Sequence, residues 1–120
     1  LGAGGFPDGI AFDAHGNLWG TLIMADQIFA ITPEGEFRII IDDGDKQATQ
    51  TLEAAFRADA VTPELMLAAS GKTAPWYASV TFGGPNLKTV YIGSLRGERI
   101  PYFQSPVAGL PMVHWGEYPP

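Results

Sequence analysis

The side chains in this sequence that could do chemistry are mostly carboxylates. The 120 residues include 13 Asp and Glu, 7 Lys and Arg, 2 His and no Cys, giving a formal net charge of −6 at pH 7. Without thiolates, oxygen or imidazole ligands would have to hold any metal ion. The chain also lacks the clustered Lys and Arg that nucleic acid or an anionic membrane would need. We therefore expect neither as a partner, and a neutral small molecule or a cation suits the chain better.

Several patterns in the chain fall short of a known type of site. Residues 42–45, Asp-Asp-Gly-Asp, lack the spacing and terminal glutamate of a calcium-binding EF-hand loop, which predicts a solvated acidic turn. Gly83-Gly84-Pro85 is not followed by the Gly-Lys-Ser or Gly-Lys-Thr of a phosphate-binding loop, so we expect a hairpin turn. His15 and His114 lack the paired spacing of metal ligands. We expect His15 to be solvated in a turn and His114 to be a partly buried packing residue.

Aromatic and basic side chains offer weaker candidates for a ligand pocket. Trp19, Trp76 and Trp115 stand at apolar positions and are expected to be core residues. Arg96 and Arg99 flank a predicted turn, where they are either solvated or able to meet an anionic group. From its neighbours alone, Asp8 in Pro7-Asp8-Gly9 is a turn residue that accepts hydrogen bonds from nearby backbone N–H groups.

The elements that must position these residues begin with four short, apolar strand patterns. They are separated by connections containing Gly, Pro, Asn or Asp that suit tight hairpins. Four antiparallel strands in about 35 residues make one propeller blade. The predicted strands are residues 9–13, 18–23, 27–32 and 37–41.

From about Ala48 to Ala69 the apolar residues change to the 3.6-residue spacing of helices. Thr62, Pro63 and Glu64 predict a helix start, with a hydroxyl N-cap, proline at the first position and a carboxylate at the positive end of the helix dipole. Gly71 is a plausible stop. This stretch is therefore predicted to be a helical insert.

Strand patterns return at residues 77–82, 89–94 and 99–103, and the tail, residues 106–120, is predicted to pack as a last strand or closing strap. An internal repeat relates Gly9-Ile10-Ala11-Phe12 to Ser79-Val80-Thr81-Phe82. The predicted fold class is mainly all-β: a partial β-propeller of about two four-stranded antiparallel blades. Within one domain, residues 1–45 form a blade, 46–72 the helical insert, and 73–120 a blade with the strap.

Two motifs carry a resemblance to a known family. Residues 6–19, FPDGIAFDAHGNLW, resemble the "PDG…D..GN.W" signature of the SMP-30/gluconolactonase/LRE-like family. Residues 79–91, SVTFGGPNLKTVY, resemble the family's "FGGPdl.tlY" segment, which follows one blade later. Outside the insert, the resemblance covers residues 6–41 and 74 to about 115. It implies the C-terminal part of a six-bladed propeller.

The resemblance implies specific roles for two residues. The aspartate of the Pro-Asp-Gly motif binds a divalent cation, often calcium or zinc, in this family and is the favoured general base, which assigns both roles to Asp8. Ser79 stands where many relatives place an asparagine that lines the pocket, so its hydroxyl could contact substrate; a small polar filler at the strand end is an equal alternative. The implied activity is hydrolysis of a lactone or related ester, and the implied substrate is a lactone or a sugar-acid-like molecule.

The implied site is incomplete in this chain. A glutamate and an asparagine that also bind the cation in the family have no counterpart here and would lie before Leu1, and two blades cannot close a ring that needs four or more. We therefore expect the remaining blades to come from the same parent chain or from a homo-oligomer. The alternative is a non-enzymatic propeller module that binds a small ligand or protein. The chain is expected to be soluble; its compartment is left open, with a slight preference for the cytoplasm.

Overall fold

A computed structural model describes residues 6–116, and its first element is a four-stranded antiparallel sheet in the order β1-β2-β3-β4. This confirms the four strands predicted from the apolar patterns and turn residues. Hairpin connections join all neighbours, so consecutive strands lie side by side. The strands are β1 (Pro7–Phe12), β2 (Leu18–Leu22), β3 (Gln27–Ile31) and β4 (Phe37–Asp42).

Two helices follow, α1 (Lys46–Arg57) and α2 (Pro63–Ala68). Thr62 caps α2 as predicted, because its hydroxyl accepts a hydrogen bond from the backbone N–H of Leu65 at 3.3 Å. Asp45 caps α1 in the same way, accepting from Ala48 N–H at 2.8 Å. Both helices therefore begin at a side-chain acceptor.

A second antiparallel sheet has three strands, β5 (Tyr77–Gly83), β6 (Thr89–Ser94) and β7 (Tyr102–Gln104), where four were predicted. The chain after β7 leaves this sheet because it crosses back to the first one. There Ala14 N–H donates to the carbonyl of Ala108 at 2.8 Å, and Leu110 N–H donates to the carbonyl of Phe12 at 2.9 Å. Of the tail predicted as a last strand or strap, residues 108–110 thus connect the second sheet to β1, and a short 3₁₀ turn, Val113–Gly116, follows.

The main core lies between the two sheets. The indole of Trp19 on β2 meets the ring of Phe82 on β5 edge to face, with centroids 5.1 Å apart. Ile28 and Ala30 on the first sheet, and Val90 and Ile92 on the second, complete the buried interface. Burying these side chains is the main source of stability that such an arrangement has.

The fold is therefore mainly β, with two antiparallel sheets packed face to face as partial propeller blades and a helical insert between them in sequence. Residues 6–116 do not by themselves close a propeller ring. Within that range, neither helix has the length and apolar character needed to cross a membrane.

Candidate functional site

Asp8 lies in an irregularity of β1. Pro7 pairs with Leu22, but the next regular pair is Ile10 with Gly20, so two residues, Asp8 and Gly9, stand opposite the single residue Thr21. Gly9 N–H donates to the hydroxyl of Thr21 at 3.2 Å instead of joining the regular ladder. This is a β-bulge, a feature that redirects side chains and is frequent beside active sites.

The first strand of the second sheet has a bulge at the matching place. Tyr77 pairs with Ser94 and Ser79 pairs with Gly93, which leaves Ala78 as the extra residue. In the internal repeat Ser79 corresponds to Gly9, so Ala78 corresponds to Asp8. The two sheets therefore repeat the bulge, but only the first carries a carboxylate in it.

β1 and β5 lie side by side, and the two bulges meet. A Cβ added to Gly9 would lie 2.5 Å from the carbonyl oxygen of Ala78 and 2.6 Å from the Cα of Ser79, so only glycine fits there. From these contacts, the Cα atoms of Asp8 and Ser79 are at most about 8 Å apart. The structure thus brings together the two residues that the sequence singled out.

Both candidate side chains are accessible. Asp8 and Ser79 are each exposed, and the Ser79 hydroxyl lies directly against the Cα of Gly93 on the neighbouring strand, with no room for a Cβ there. An exposed carboxylate can accept a proton or bind a hard cation, and a hydroxyl can donate or accept a hydrogen bond. This is the chemistry that the pair offers.

Residues 6–116 do not bring together a full set of side-chain metal ligands. Within this range no group of three or more His, Asp and Glu side chains is placed to hold one ion. Asp8 fits a hard cation by its oxygen chemistry, whereas a protein-bound calcium ion takes six to eight oxygen ligands, some of them water. Any cation at Asp8 therefore needs ligands other than the His, Asp and Glu side chains of the described residues.

Four other residues can be compared with their predicted environments. His15 is exposed in the turn between β1 and β2, and Trp19 is buried, as expected. His114 is also exposed, so the prediction of partial burial was wrong. Trp115 is 47% exposed rather than a core residue. The last two lie in the 3₁₀ turn after Pro111, where the chain has already left both sheets.

Trp76 and Arg96 pack together at the end of the second sheet. The guanidinium of Arg96 lies 5.2 Å from the centroid of the Trp76 ring, a cation–π contact. Trp76 is only partly buried, and its indole N–H points to the carbonyl of Met66 in α2 at 3.4 Å. Arg96 is thus placed against an aromatic ring, and Arg99 is exposed.

Asp13 is a structural residue whose role the sequence reasoning missed. Its buried carboxylate accepts hydrogen bonds from the backbone N–H groups of His15 and Asn17, from the Asn17 amide and from the Trp19 indole, at 2.7 to 2.9 Å. Burial by itself raises the pKa of Asp13, but these hydrogen bonds outweigh it and lower that pKa below its usual value. The Asp-x-x-Gly-Asn-x-Trp part of the motif therefore builds a turn.

Asp26 and Asp43 connect the first sheet to the segment entering β5. Asp26 is buried and accepts from the backbone N–H groups of Gly71 at 2.6 Å and Tyr77 at 2.8 Å. Burial raises the pKa of Asp26 despite these bonds, and Asp43 adds to the rise. Burial also raises the pKa of the Tyr77 hydroxyl, to about 12, and again Asp43 contributes.

The contacts of Asp43 differ from the prediction made for the acidic turn at residues 42–45. Its carboxylate accepts from the backbone N–H groups of Lys72 and Thr73, at 3.0 and 2.9 Å, and from the Tyr77 hydroxyl at 3.4 Å. The turn was predicted to be merely solvated. All three of its aspartates instead make defined contacts. Asp42 accepts a hydrogen bond from the side-chain amide of Gln27 at 3.0 Å, Asp43 binds the far end of the insert, and Asp45 caps α1.

Comparisons with known proteins add no identification to this geometry. The chain matches no protein-family model, and it matches no curated protein. The position of Asp8 and Ser79 and the two motifs are therefore the features from which a function can be inferred.

Proposed function

We propose that this chain is part of a metal-dependent hydrolase of the lactonase or esterase kind, with Asp8 as cation ligand and general base. One observation supports the proposal above the others: the exposed residue Asp8 stands in a β-bulge of β1, and through Gly9 this bulge meets the matching bulge of β5 at Ala78 and Ser79. The resemblance of residues 6–19 and 79–91 to the SMP-30/gluconolactonase/LRE-like motifs points to the same pair.

In the proposed reaction, Asp8 accepts the proton of the water that attacks the lactone carbonyl. The Ser79 hydroxyl donates a hydrogen bond to the substrate and so orients it. A divalent cation, calcium or zinc, would polarise the carbonyl and lower the pKa of its bound water. The bulge contributes by fixing the direction of Asp8, because a group acting on a proton must lie within hydrogen-bond reach of it.

The remaining cation ligands are proposed to come from blades outside residues 6–116, either in a longer parent chain or in further copies of this one. A single carboxylate binds a divalent ion weakly, so the assembled protein would have the higher affinity. Activity is accordingly expected only where those blades are present.

Calorimetric titration of Ca²⁺, Zn²⁺ and Mn²⁺, combined with a lactone hydrolysis assay, tests the assignment. In the assembled protein, Asp8→Asn should abolish tight cation binding and lower kcat by a factor of 100 or more, in the range expected for a general base. Glu34→Gln, an equal loss of charge in the exposed β3–β4 turn, is the matched control and should change neither. Cation binding and hydrolysis that survive Asp8→Asn would refute the proposal.

The second candidate is a non-enzymatic module that binds a small ligand. It is favoured by the finding that residues 6–116 contain one cation-ligand candidate and no cluster of three. The hydrolysis assay separates the two: ligand binding without turnover in the assembled protein supports the module, and Asp8-dependent turnover supports the enzyme.

A further inference from the structure

The helical insert forms one side of an open pocket whose lining includes Phe6, two residues before Asp8. The cavity has a volume of about 480 Å³ and lies between the helices, the end of β2 and the residue that precedes β1. Ligand pockets in proteins commonly have 300 to 1,000 Å³ and a mainly apolar lining with few polar groups. Seven of its eight lining residues are apolar. The eight are Phe6, Ile23, Met24, Leu52, Phe56, Asp59, Val61 and Met66.

The walls of this pocket are held in place by defined contacts. Leu52 and Met24 are buried and form its floor. The rings of Phe6 and Phe56 meet edge to face with centroids 4.8 Å apart, and the carbonyl of Phe6 accepts a hydrogen bond from Ile23 N–H at 3.1 Å. The insert is thus fixed to the end of the first sheet, with an apolar space left between them.

Asp59 supplies the only charged side chain of the lining. It follows α1 with a positive φ of 54°, the left-handed conformation in which many helices end. Its N–H donates to the carbonyl of Phe56 at 3.1 Å, which fixes it in that position. A carboxylate there disfavours an anionic ligand by like-charge repulsion and leaves a neutral one unaffected.

The pocket is close to the candidate catalytic residue along the chain. Phe6 lies two residues before Asp8, so their Cα atoms are at most about 7 Å apart. A ligand that used both Asp8 and the pocket would have its side chain pass Phe6.

We propose that this pocket binds the aliphatic chain of a neutral ligand. On the further premise that the chain belongs to a lactone hydrolase, this ligand is the substrate: a lactone with an apolar side chain rather than a polyhydroxylated sugar lactone. The apolar lining would leave the hydroxyls of a sugar without hydrogen-bond partners, which disfavours the polar substrate.

Methionine methyl groups give a direct measurement of binding to the unmodified chain. Met24 and Met66 line the pocket, whereas Met112, the third methionine, lines a separate groove and is an internal control. Titration with γ-decalactone, a five-membered lactone bearing a hexyl chain, should shift the ¹³C-labelled methyl signals of Met24 and Met66 but not that of Met112. γ-Butyrolactone, the same ring without the chain, should shift none of them.

Chain length and charge make the test more specific. Each methylene removed from the side chain should weaken binding about fourfold, as expected for loss of one buried CH₂. Decanoate should bind several-fold more weakly than γ-decalactone, because solvent screens the repulsion from the exposed Asp59 without abolishing it, and Asp59→Asn should reduce this difference. Equal shifts of all three methyl signals, no dependence on chain length, or equal binding of decanoate to the unmodified chain would overturn the proposal.

Filling the cavity gives an independent test. Val61 is 40% exposed at the rim, and Val61→Trp should weaken γ-decalactone binding at least tenfold. Ile100→Trp, a comparable enlargement at a 70% exposed position away from the pocket, should leave it unchanged. An unchanged far-ultraviolet circular dichroism spectrum in each variant confirms folding, and equal binding by both variants would count against the pocket.

The outcomes separate this proposal from the proposed function. Methyl shifts without hydrolysis in the assembled protein would retain the pocket and reject the hydrolase. Asp8-dependent hydrolysis with the same kcat/KM for γ-butyrolactone and γ-decalactone, and no methyl shifts, would retain the hydrolase and reject the pocket.

Discussion

The buried carboxylate of Asp13 holds the turn between β1 and β2 together through four hydrogen bonds. Asp13→Asn would place an amide N–H₂ group where the carboxylate now accepts from Asn17 and Trp19, leaving buried donors unpaired. We expect the free energy of unfolding to fall by about 3 kcal/mol, since bonds to a charged acceptor are worth more than neutral ones. Urea denaturation measures it, with Glu34→Gln as a control expected to change stability by less than about 0.5 kcal/mol. A loss no larger than that of the control would contradict this role.

The two buried aspartates should give opposite dependences of stability on pH. Asp13 has a lowered folded pKa, so its stabilisation is complete above the unfolded value of about 3.9 and is lost as the pH falls through the folded pKa. Asp26 has a raised folded pKa, so the cost of burying its charge is relieved as the pH falls from neutral through that pKa. As the pH is lowered from 7 to 3, the free energy of unfolding of the unmodified protein should rise relative to that of Asp26→Asn. It should exceed that of Asp13→Asn by a constant amount down to about pH 4 and lose this difference only below that pH. Parallel curves for all three proteins would contradict these assignments.

The difference between Asp13 and Asp26 illustrates what the sequence could predict at single residues. The partners of Asp13 lie two to six positions away, and Asp followed by Gly and Asn is a local turn signal that could have revealed its role. The partners of Asp26 lie 45 and 51 residues away, on the far side of the insert. No local pattern carries that information, because the contact exists only after both sheets have packed.

At the level of elements, alternating apolar residues and turn chemistry predicted six of the seven strands within about two residues. The exception was β7, which the sequence placed at residues 99–103 and the structure places at Tyr102–Gln104. The bulges at Asp8 and Ala78 were not predicted, since one extra residue in a strand hardly alters the apolar pattern. The geometry that brings Asp8 to Ser79 was therefore hidden, although both residues had been singled out by resemblance.

The capping of α2 by Thr62 allows a comparison between two identical substitutions. Thr62→Ala removes the acceptor of Leu65 N–H and should cost about 1 kcal/mol. Thr51→Ala removes a hydroxyl within α1 that bonds only to the carbonyl of Gln47, and alanine favours helix, so stability should stay equal or rise slightly. Denaturant unfolding and amide exchange at Leu65 measure both effects. Equal losses for the two variants would argue against a specific cap.

At the scale of the whole molecule, the two sheets present different outer faces. The register of the first sheet aligns Ile10, Phe29 and Ile39 in one row. The next row holds Phe12, Ile31 and Phe37. On the second sheet, the corresponding face contains Ser79, Thr81, Tyr91 and Tyr102. The alternating sequence indicated that each strand has two faces, but which face meets the partner sheet was decided by packing between Trp19 and Phe82.

The exposed apolar side chains on the outer face of the first sheet predict that the chain associates with itself. Ile10, Phe12, Phe37 and Ile39 are 60%, 48%, 44% and 43% exposed and lie on one face of the first sheet, and monomers rarely leave large apolar patches uncovered. Light scattering should give a mass above the 12.8 kDa of one chain, rising with concentration.

A charge placed in this face should oppose the association, because burying it without a partner is costly. Ile39→Lys is therefore expected to weaken self-association at least tenfold. Tyr102→Lys, on the outer face of the second sheet and 66% exposed, should have little effect. A monomer at every concentration, or equal behaviour of the two variants, would show that the outer face of the first sheet does not drive assembly. If the prediction holds, a neighbouring blade would dock on the outer face of the first sheet. That blade would then lie against the sheet that carries Asp8.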